Sequence, residues 1–396
     1  KPHPIVDLAK KANVEVINDI ELLGRVQRMS SVIGVTGTNG KSTTTALIGH
    51  ILQVSGREAE VGGNLGPPVL ELEPLGEGGT YVIEMSSFQL ELNLSITFDL
   101  AVLLNISAEH LERHGGVEGY IDAKKRIFHR QTKPRAAIIG VDDEVTQNIY
   151  SQLSDIGDQF VIPISGYNKV ENGVCVVGGI LIDNIDGKSV PICDLQQIPS
   201  LPGPHNWQNA AAAYAVCKTA GVEPHAIMAC IQSYPGLVHR QEVFEIVDDV
   251  IFVNDSKATN SQAAARALAC YENIYWIVGG RPKDSSLSVC EPFFLHVKHA
   301  YLIGESSSLF EKEVNGKIAY TLAGDIETAI RRALADIGRS KTKKPIILLS
   351  PACASFDQFN NFEERGDFFK KIIESLPGDH MDPFEKPGLI PLAYFD

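Results

Sequence analysis

Long hydrophobic runs are missing from this chain. No apolar stretch among its 396 residues approaches the roughly 18 that a membrane span requires, so no membrane insertion is expected. The first residues also lack the apolar core of a signal peptide, and the chain opens at Lys1-Pro2-His3-Pro4 without a methionine. Positive charge is in deficit: 35 lysines and arginines against 49 aspartates and glutamates leave a formal net charge of −14. That balance argues against a nucleic-acid partner or an anionic membrane surface, so an anionic substrate has to meet a local cluster of basic groups. Cysteine is sparse. The seven, at 175, 193, 217, 230, 270, 290 and 353, form no C-x-x-C pair and have no paired-histidine spacing. Neither a zinc site nor a disulfide framework is indicated, and a reducing cytoplasm fits such usage.

The length is enough for two or three domains with real hydrophobic cores. The stretch that organises the rest is Gly37-Thr38-Asn39-Gly40-Lys41-Ser42-Thr43, set between an apolar run, Val32 to Val35, and an amphipathic segment from Lys41. It reads as strand, phosphate loop and helix. The glycines let the backbone turn tightly, so that successive N–H groups and the helix N-terminus can point at a polyphosphate. Lys41 supplies a charge to the terminal phosphates, and the Ser42 or Thr43 hydroxyl is a candidate Mg²⁺ ligand. The first glycine of the general pattern is replaced by Val35, and an ordinary strand-to-helix turn with a solvated lysine has the same short signature.

Residues 1–29 carry a helical pattern from Ile5 to Ala12, a strand at Val14 to Ile17 and a short helix from Ile20 to Val26, too little to bury a core alone. From Ser30 the pattern is strand and helix in alternation: a strand at 32–36, a helix stopped at Gly56, and buried strands at Tyr81 to Ile83 and Asp99 to Leu104 that end on Glu84 and Asn105. A helix over 117–130, a strand at 136–139, hairpins within Val161 to Leu181 and an Ala-rich helix from His205 to Thr219 follow. Near Pro235-Gly236-Leu237 the pattern resets. A hairpin about Asp248-Asp249 leads into strands at 274–278, 301–303 and 345–349 with helices near 261–271, 325–337 and 362–375. The expectation is an α/β protein with a central P-loop-type ATPase domain on a parallel-rich sheet (30–236) and a C-terminal doubly wound Rossmann-like domain (237–378). Residues 1–29 form a remnant or linker, and 379–396 a loosely ordered tail.

Strand-end polar residues lie at the carboxyl edge of a parallel sheet, where open α/β sheets bind ligands. Glu84 can there reach a metal held by the loop hydroxyl, although a strand-end acid also caps turns. His110, in Ser107-Ala108-Glu109-His110-Leu111, is by itself as well explained as a surface or core histidine.

Taken together, VTGTNGKST, GGNLG, IEMSSFQLE, LLNISAEHLERH, YIDAKKRIF, GPHNWQNAAAA, HRQE, NDSKATN and SPACASFDQFNNFEERG resemble the Mur ligases, in order from about residue 30 to 375. The resemblance implies a ligase of ATP and Mg²⁺, with two metal ions, whose substrates are UDP-N-acetylmuramoyl-L-alanine and D-glutamate; a monomer is expected. Lys41 and Ser42 match the phosphate loop, and Glu84 and His110 the acid and imidazole at the Mg²⁺ sites. Lys124 matches the lysine that the family carries as a carbamate, which turns a cation into an oxygen ligand; otherwise Lys124, Lys125 and Arg126 pass as a solvated helix face. Asn206, Asn209, Arg240, Asp255 and Lys257 match the nucleotide-contacting group. Asn64, Ser86, Gln89 and His110 match positions that meet the muramoyl part, and Thr259, Lys283, Ser355, Phe356 and Phe362 those near the incoming D-glutamate. For the amide and hydroxyl residues taken singly, capping and turn bonding are the ordinary roles.

Three departures stand out. Glu109 replaces an aspartate, Arg281-Pro282 replaces an aspartate and a glycine beside Lys283, and of the family's first domain only the last stretch, about residues 1–20, is matched. The missing methionine favours a chain whose start is absent. The implied chemistry is phosphorylation of a carboxylate by ATP and attack of an amine on the acyl phosphate, with the last domain closing on the central one about a hinge near 235–240. A related ligase adding glutamate to folate and a nucleotide-binding module without ligase activity remain as alternatives.

Overall fold

A computed structural model describes residues 4–107, 111–282 and 286–385. They fall into two compact units, one built from the residues up to Leu195 together with Pro204–Tyr234, the other from Gln196–Gly203 together with the chain from Pro235 onward.

The first unit carries β1 (Ser31–Thr36), β2 (Ala59–Gly63), β3 (Thr80–Glu84), β4 (Leu100–Leu103), β5 (Ala136–Gly140), β6 (Phe160–Ser165), β7 (Val174–Val177), β8 (Ile180–Asp183) and β9 (Val190–Asp194). They form one sheet in the order β2-β3-β1-β4-β5-β6-β7-β8-β9, parallel as far as β7 and antiparallel over the last two pairings. Strands β4 and β5 are buried at every position, the pattern of strands covered on both faces. Connections after β1 and after β4 run to opposite edges of the sheet, so the carboxyl ends of these neighbours flank the crevice where such a sheet takes a ligand. The helix Lys41–Val54 packs against the helix Pro204–Thr219, in which Ala210 to Cys217 are all fully buried. Four consecutive alanines there let the helix lie close between its neighbours at no cost in side-chain entropy.

The second unit carries β10 (Glu242–Val247), β11 (Val250–Asn254), β12 (Ile274–Gly279), β13 (Val297–Ile303), β14 (Tyr320–Gly324), β15 (Ile346–Leu349) and β16 (His380–Met381), ordered β14-β13-β12-β15-β11-β10-β16. The five strands from β14 to β11 are parallel; β10 and β16 add antiparallel edges. One face packs Leu268, Trp276, Phe294 and Phe310, the other Phe252, Tyr301, Ile330 and Phe369, which makes the unit doubly wound. Asp248 and Asp249 at the β10–β11 turn both have positive φ, 48° and 66°, as a two-residue hairpin loop demands. Here the crevice lies between β12 and β15, whose onward connections diverge.

Three expectations differ from the structure. Val14 to Ile17 are not a strand: Val14 is exposed, and Glu15 turns to an ion pair with Arg25 at 2.8 Å. Between Val161 and Leu181 only β7 and β8 form a hairpin, about Gly178-Gly179; β6 is parallel to both neighbours because the helix Glu144–Ile156 makes a crossover before it. The helix expected over 117–130 ends at Lys125 and continues as a single tighter turn, Arg126–Phe128. Strands β2, β9, β14 and β16 went unmarked, β2 because two of its five residues are glycine, and β16, His380–Met381, pairs with β10 in a stretch expected as loosely ordered tail.

The helix Asp19–Val26 is tied to the sheet by one buried carboxylate. Glu21 accepts the backbone N–H of Leu94 at 2.9 Å and of Ser95 at 3.0 Å, the Ser95 hydroxyl, and Arg25 Nε at 2.9 Å. Burial pushes its pKa up, but these donors outweigh it and hold the group down at about 2. A depressed acid stabilises the fold above its unfolded value and loses that contribution as pH falls. Unfolding midpoints in urea should therefore drop between about pH 4.5 and 2 by the equivalent of about 3 kcal/mol, and Glu21→Gln should lower stability at pH 7 and flatten that limb.

Candidate active site

The carboxyl end of β1 runs into the glycine loop. Gly40 has φ +81° and caps the helix Lys41–Val54 without a side-chain hydrogen bond, and a Cβ on it would collide with Asn209 Oδ1. The residue must be glycine for both backbone and space. The loop is braced from behind: Asn39 N donates to Asn105 Oδ1 at 2.9 Å, Thr38 N to the Asn105 carbonyl at 2.9 Å, and Ser107 N to Thr38 Oγ1 at 2.9 Å. Asn105 in turn reaches Gln208 at 3.2 Å, and Gln208 Nε2 reaches Asp142 at 2.7 Å. Gln208 and Asp142 were not singled out in the sequence. Their signals were there, a polar residue just past the end of β5 and a place within the motif that holds Asn206 and Asn209.

Two lysines meet this loop. Lys41 Nζ folds back onto the carbonyls of Gly37 at 2.9 Å and Thr38 at 2.8 Å. Lys124, 1% exposed on the helix Val117–Lys125, donates to the same Gly37 carbonyl at 2.8 Å and lies 4.8 Å from the centre of the Tyr120 ring. Ser42, in the first helical turn, is buried, and Thr43 follows it.

Glu84 ends β3 beside Val35, 1% exposed. Its Oε1 accepts Asn64 Nδ2 at 2.8 Å, and its Oε2 is buried with no hydrogen-bond partner. A buried carboxylate oxygen left unpaired is costly unless a cation completes it. The donor set therefore fits Mg²⁺, which takes oxygen ligands, with Ser42 and Glu84 available and Lys124 able to join if its nitrogen carried a carboxylate. Among the described residues no group of three or more His, Cys, Asp or Glu could hold a metal ion. His110 lies outside the described residues.

Other predicted residues are engaged locally. Asn64 also donates its backbone N–H to the Glu84 carbonyl at 3.0 Å. Ser86 and Gln89 form a reciprocal capping box on the helix Ser87–Glu91, with Gln89 N 3.2 Å from Ser86 Oγ and Ser86 N 2.9 Å from Gln89 Oε1. Asn209 Nδ2 donates to Asn206 Oδ1 at 3.1 Å, and Asn209 Oδ1 accepts from Thr44 Oγ1 at 3.2 Å, so both amides lie against the phosphate-loop helix. Sequence reasoning passed over His114, buried between Ser87 Oγ at 3.0 Å and Glu91 Oε1 at 2.7 Å; it is the second histidine of the motif that holds His110.

Arg240, Asp255 and Lys257 belong to the second unit. The turn after β11 holds Asp255, Lys257 and Thr259, and the loop after β15 holds Ser355, which is buried, and Phe356, which is exposed. Asp255 accepts Ser350 Oγ at 2.8 Å and Gln241 N at 3.1 Å. Lys257 Nζ sits 3.9 Å from the centre of the Phe362 ring, a cation over an aromatic face. Arg281, at the β12 turn, pairs with Glu305 at 3.0 Å and bridges Ala354 through its backbone at 2.9 and 3.0 Å. Lys283 lies outside the described residues.

Fold and site together define a phosphate-loop α/β protein with a second, doubly wound nucleotide-fold domain. A family model described as the Mur ligase middle domain matches residues 35–217. The chain is 45% identical over 388 residues to the UDP-N-acetylmuramoylalanine--D-glutamate ligase of Rhodospirillum rubrum, covering 98% of this chain and 81% of that protein. It is 45% identical over 382 residues to the ligase of the same name from Caulobacter vibrioides, covering 95% and 81%. The chain belongs to the Mur ligase family. Among solved structures, MurF from Acinetobacter baumannii superposes with a TM-score of 0.62 at 18% identity over 90% of this chain and 79% of that one. MurF from Thermotoga maritima in complex with ADP gives 0.60 at 21% over 94% and 85%. At that identity the likeness establishes the fold alone.

Asp255 carries a pH signature. Burial raises its pKa to about 7, against the pull of Ser350, Gln241, Arg240 and Arg365. A raised acid binds its proton in the folded state before the unfolded chain does, so stability from this group falls as pH rises from about 4 to 7. Asp255→Asn should remove that slope in urea titrations and leave the second unit at least as stable at pH 8; an unchanged slope would contradict the assignment.

Proposed function

We propose that the chain joins UDP-N-acetylmuramoyl-L-alanine to D-glutamate through an amide bond, consuming ATP by way of an acyl phosphate. What carries this reading is the 45% identity to ligases of that name over 98% of the chain, read with a braced phosphate loop beside an unpaired buried carboxylate oxygen. A carboxylate is a poor acyl donor, so one of its oxygens first attacks the γ-phosphorus and ADP leaves. The amine of D-glutamate then attacks the acyl carbon, the C–O bond to phosphate breaks and the amine loses a proton, for which His110 is the candidate acceptor only where its imidazole is not holding a metal ion. The protein's part in the first step is positioning and charge. Lys41 swings from the loop carbonyls to the terminal phosphates, and the loop amides hold the others. Ser42, Glu84, His110 and carbamylated Lys124 would hold Mg²⁺, two ions in this reading, which would supply neutralisation of phosphate charge.

In the second unit Asp255, Lys257 and Arg240 meet the nucleotide, and Thr259, Lys283, Ser355 and Phe362, with Phe356 beside them, form the amino-acid pocket. Residues 30–236 then act as the ATPase domain and 237–378 as the domain that brings the amino acid. We take the enzyme as a monomer and, in keeping with its seven free cysteines, as cytoplasmic.

Lys124 as an ammonium donates to Gly37; as a carbamate it would lose its positive charge, keep a single N–H donor and gain a carboxylate whose oxygens can take a cation. A carbamate carbon signal should appear with ¹³C-bicarbonate and vanish in Lys124→Arg. Phosphate release from ATP with UDP-N-acetylmuramoyl-L-alanine should depend on D-glutamate, with L-glutamate near the level without amino acid. Release driven instead by a folate and L-glutamate would favour the folate-type ligase, and ATP binding with no release under any pairing would favour a non-catalytic module.

A further inference from the structure

Arg365 is 1% exposed, and its hydrogen bonds go to neutral groups. Nε donates to Ser256 Oγ at 3.0 Å, one terminal nitrogen to the Ser256 carbonyl at 2.7 Å, and the other to the Cys353 carbonyl at 3.0 Å. Ser256 Oγ donates onward to the Phe362 carbonyl at 2.7 Å. The burial lowers its pKa to about 10, so a cation is kept dry without a carboxylate bonded to it. As a stability device this is poor, because an apolar side chain of similar volume fills such a site at no desolvation cost. As a geometric device it is specific. Ser256 lies between Asp255 and Lys257, Cys353 lies two residues before Ser355, and Arg365 is on the helix that begins at Phe362. One planar fork therefore spans the turn after β11, the loop after β15 and the helix start. Gly280 packs against it from the β12 turn, where a Cβ would stand 3.3 Å from the guanidinium.

We propose that Arg365 is a positioning residue that locks the nucleotide-side turn, Asp255 to Lys257, to the amino-acid-side loop, Cys353 to Ser355, so that occupation of one preforms the other. This rests on the roles given to those loops under the proposed function. The fork is what matters: three N–H groups with fixed directions bond two loops at once, whereas a lysine nitrogen on a single stem cannot span both carbonyls and the hydroxyl.

The test compares Arg365→Lys, Ser256→Ala and, as a packing control on the same helix, Ile373→Val. Arg365→Lys should raise KM for both ATP and D-glutamate at least fivefold, whereas Ile373→Val lowers the thermal midpoint and moves neither. Equilibrium ADP binding reads the coupling without turnover. Ser355→Ala, on the amino-acid side, should weaken ADP at least threefold in the chain with Arg365 and change it less than twofold when combined with Arg365→Lys. The same ADP response to Ser355→Ala in both backgrounds, or a rise in only one of the two KM values, overturns the proposal. Should Arg365→Lys fail to fold, Ser256→Ala removes the hydroxyl link and is read in the same ADP comparison. Absence of D-glutamate-dependent phosphate release in the unsubstituted chain sinks the proposed function instead, and the ADP comparison still decides the coupling.

Discussion

The constraint on which the first unit turns is at Gly40, where the backbone must adopt a left-handed φ and no Cβ fits beside Asn209. Everything around it serves to hold that loop open: Asn105 takes the Asn39 amide, Gln208 holds Asn105, and Asp142 holds Gln208. A loop built to aim amides at an anion cannot bond those amides internally, so its rigidity has to come from side chains behind it. Gly37 contributes a carbonyl that two lysines share, which keeps both ammonium groups at the mouth of the loop.

Buried ionisable groups mark the carboxyl edges of both sheets. Glu84 with its unpaired oxygen, Lys124, Asp255 and Arg365 are each nearly inaccessible, and each departs from what stability alone would select. Glu21 is the useful contrast: equally buried, it is saturated by five donors and serves to anchor a helix. The difference between Glu21 and Glu84 is the number of donors aimed at each, not depth.

Much of the fold was legible. Fully buried parallel strands read as short continuous apolar runs, and β1, β3, β5, β12 and β15 were found from them; the Asp-Asp turn gave the β10–β11 hairpin. The four strands at sheet edges, β2, β9, β14 and β16, were not, because each is paired on one side only. The strand-end positions of Glu84 and Asn105 were legible because each follows a short apolar run. Gln208, His114 and Arg365 escaped because each acts through another residue's backbone or side chain.

By itself the sequence determined the class of chemistry through motifs that resemble, in order, those of a ligase family; the glycine loop, the strand-end acid and the lysine taken singly left ordinary structural roles open. Tertiary structure alone decided which of those groups are braced, which are left unpaired and which loops are tied together. Those properties depend on contacts between residues far apart in the chain, 109 positions for Arg365 and Ser256 and 165 for Thr44 and Asn209, and local pattern carries no information at such range.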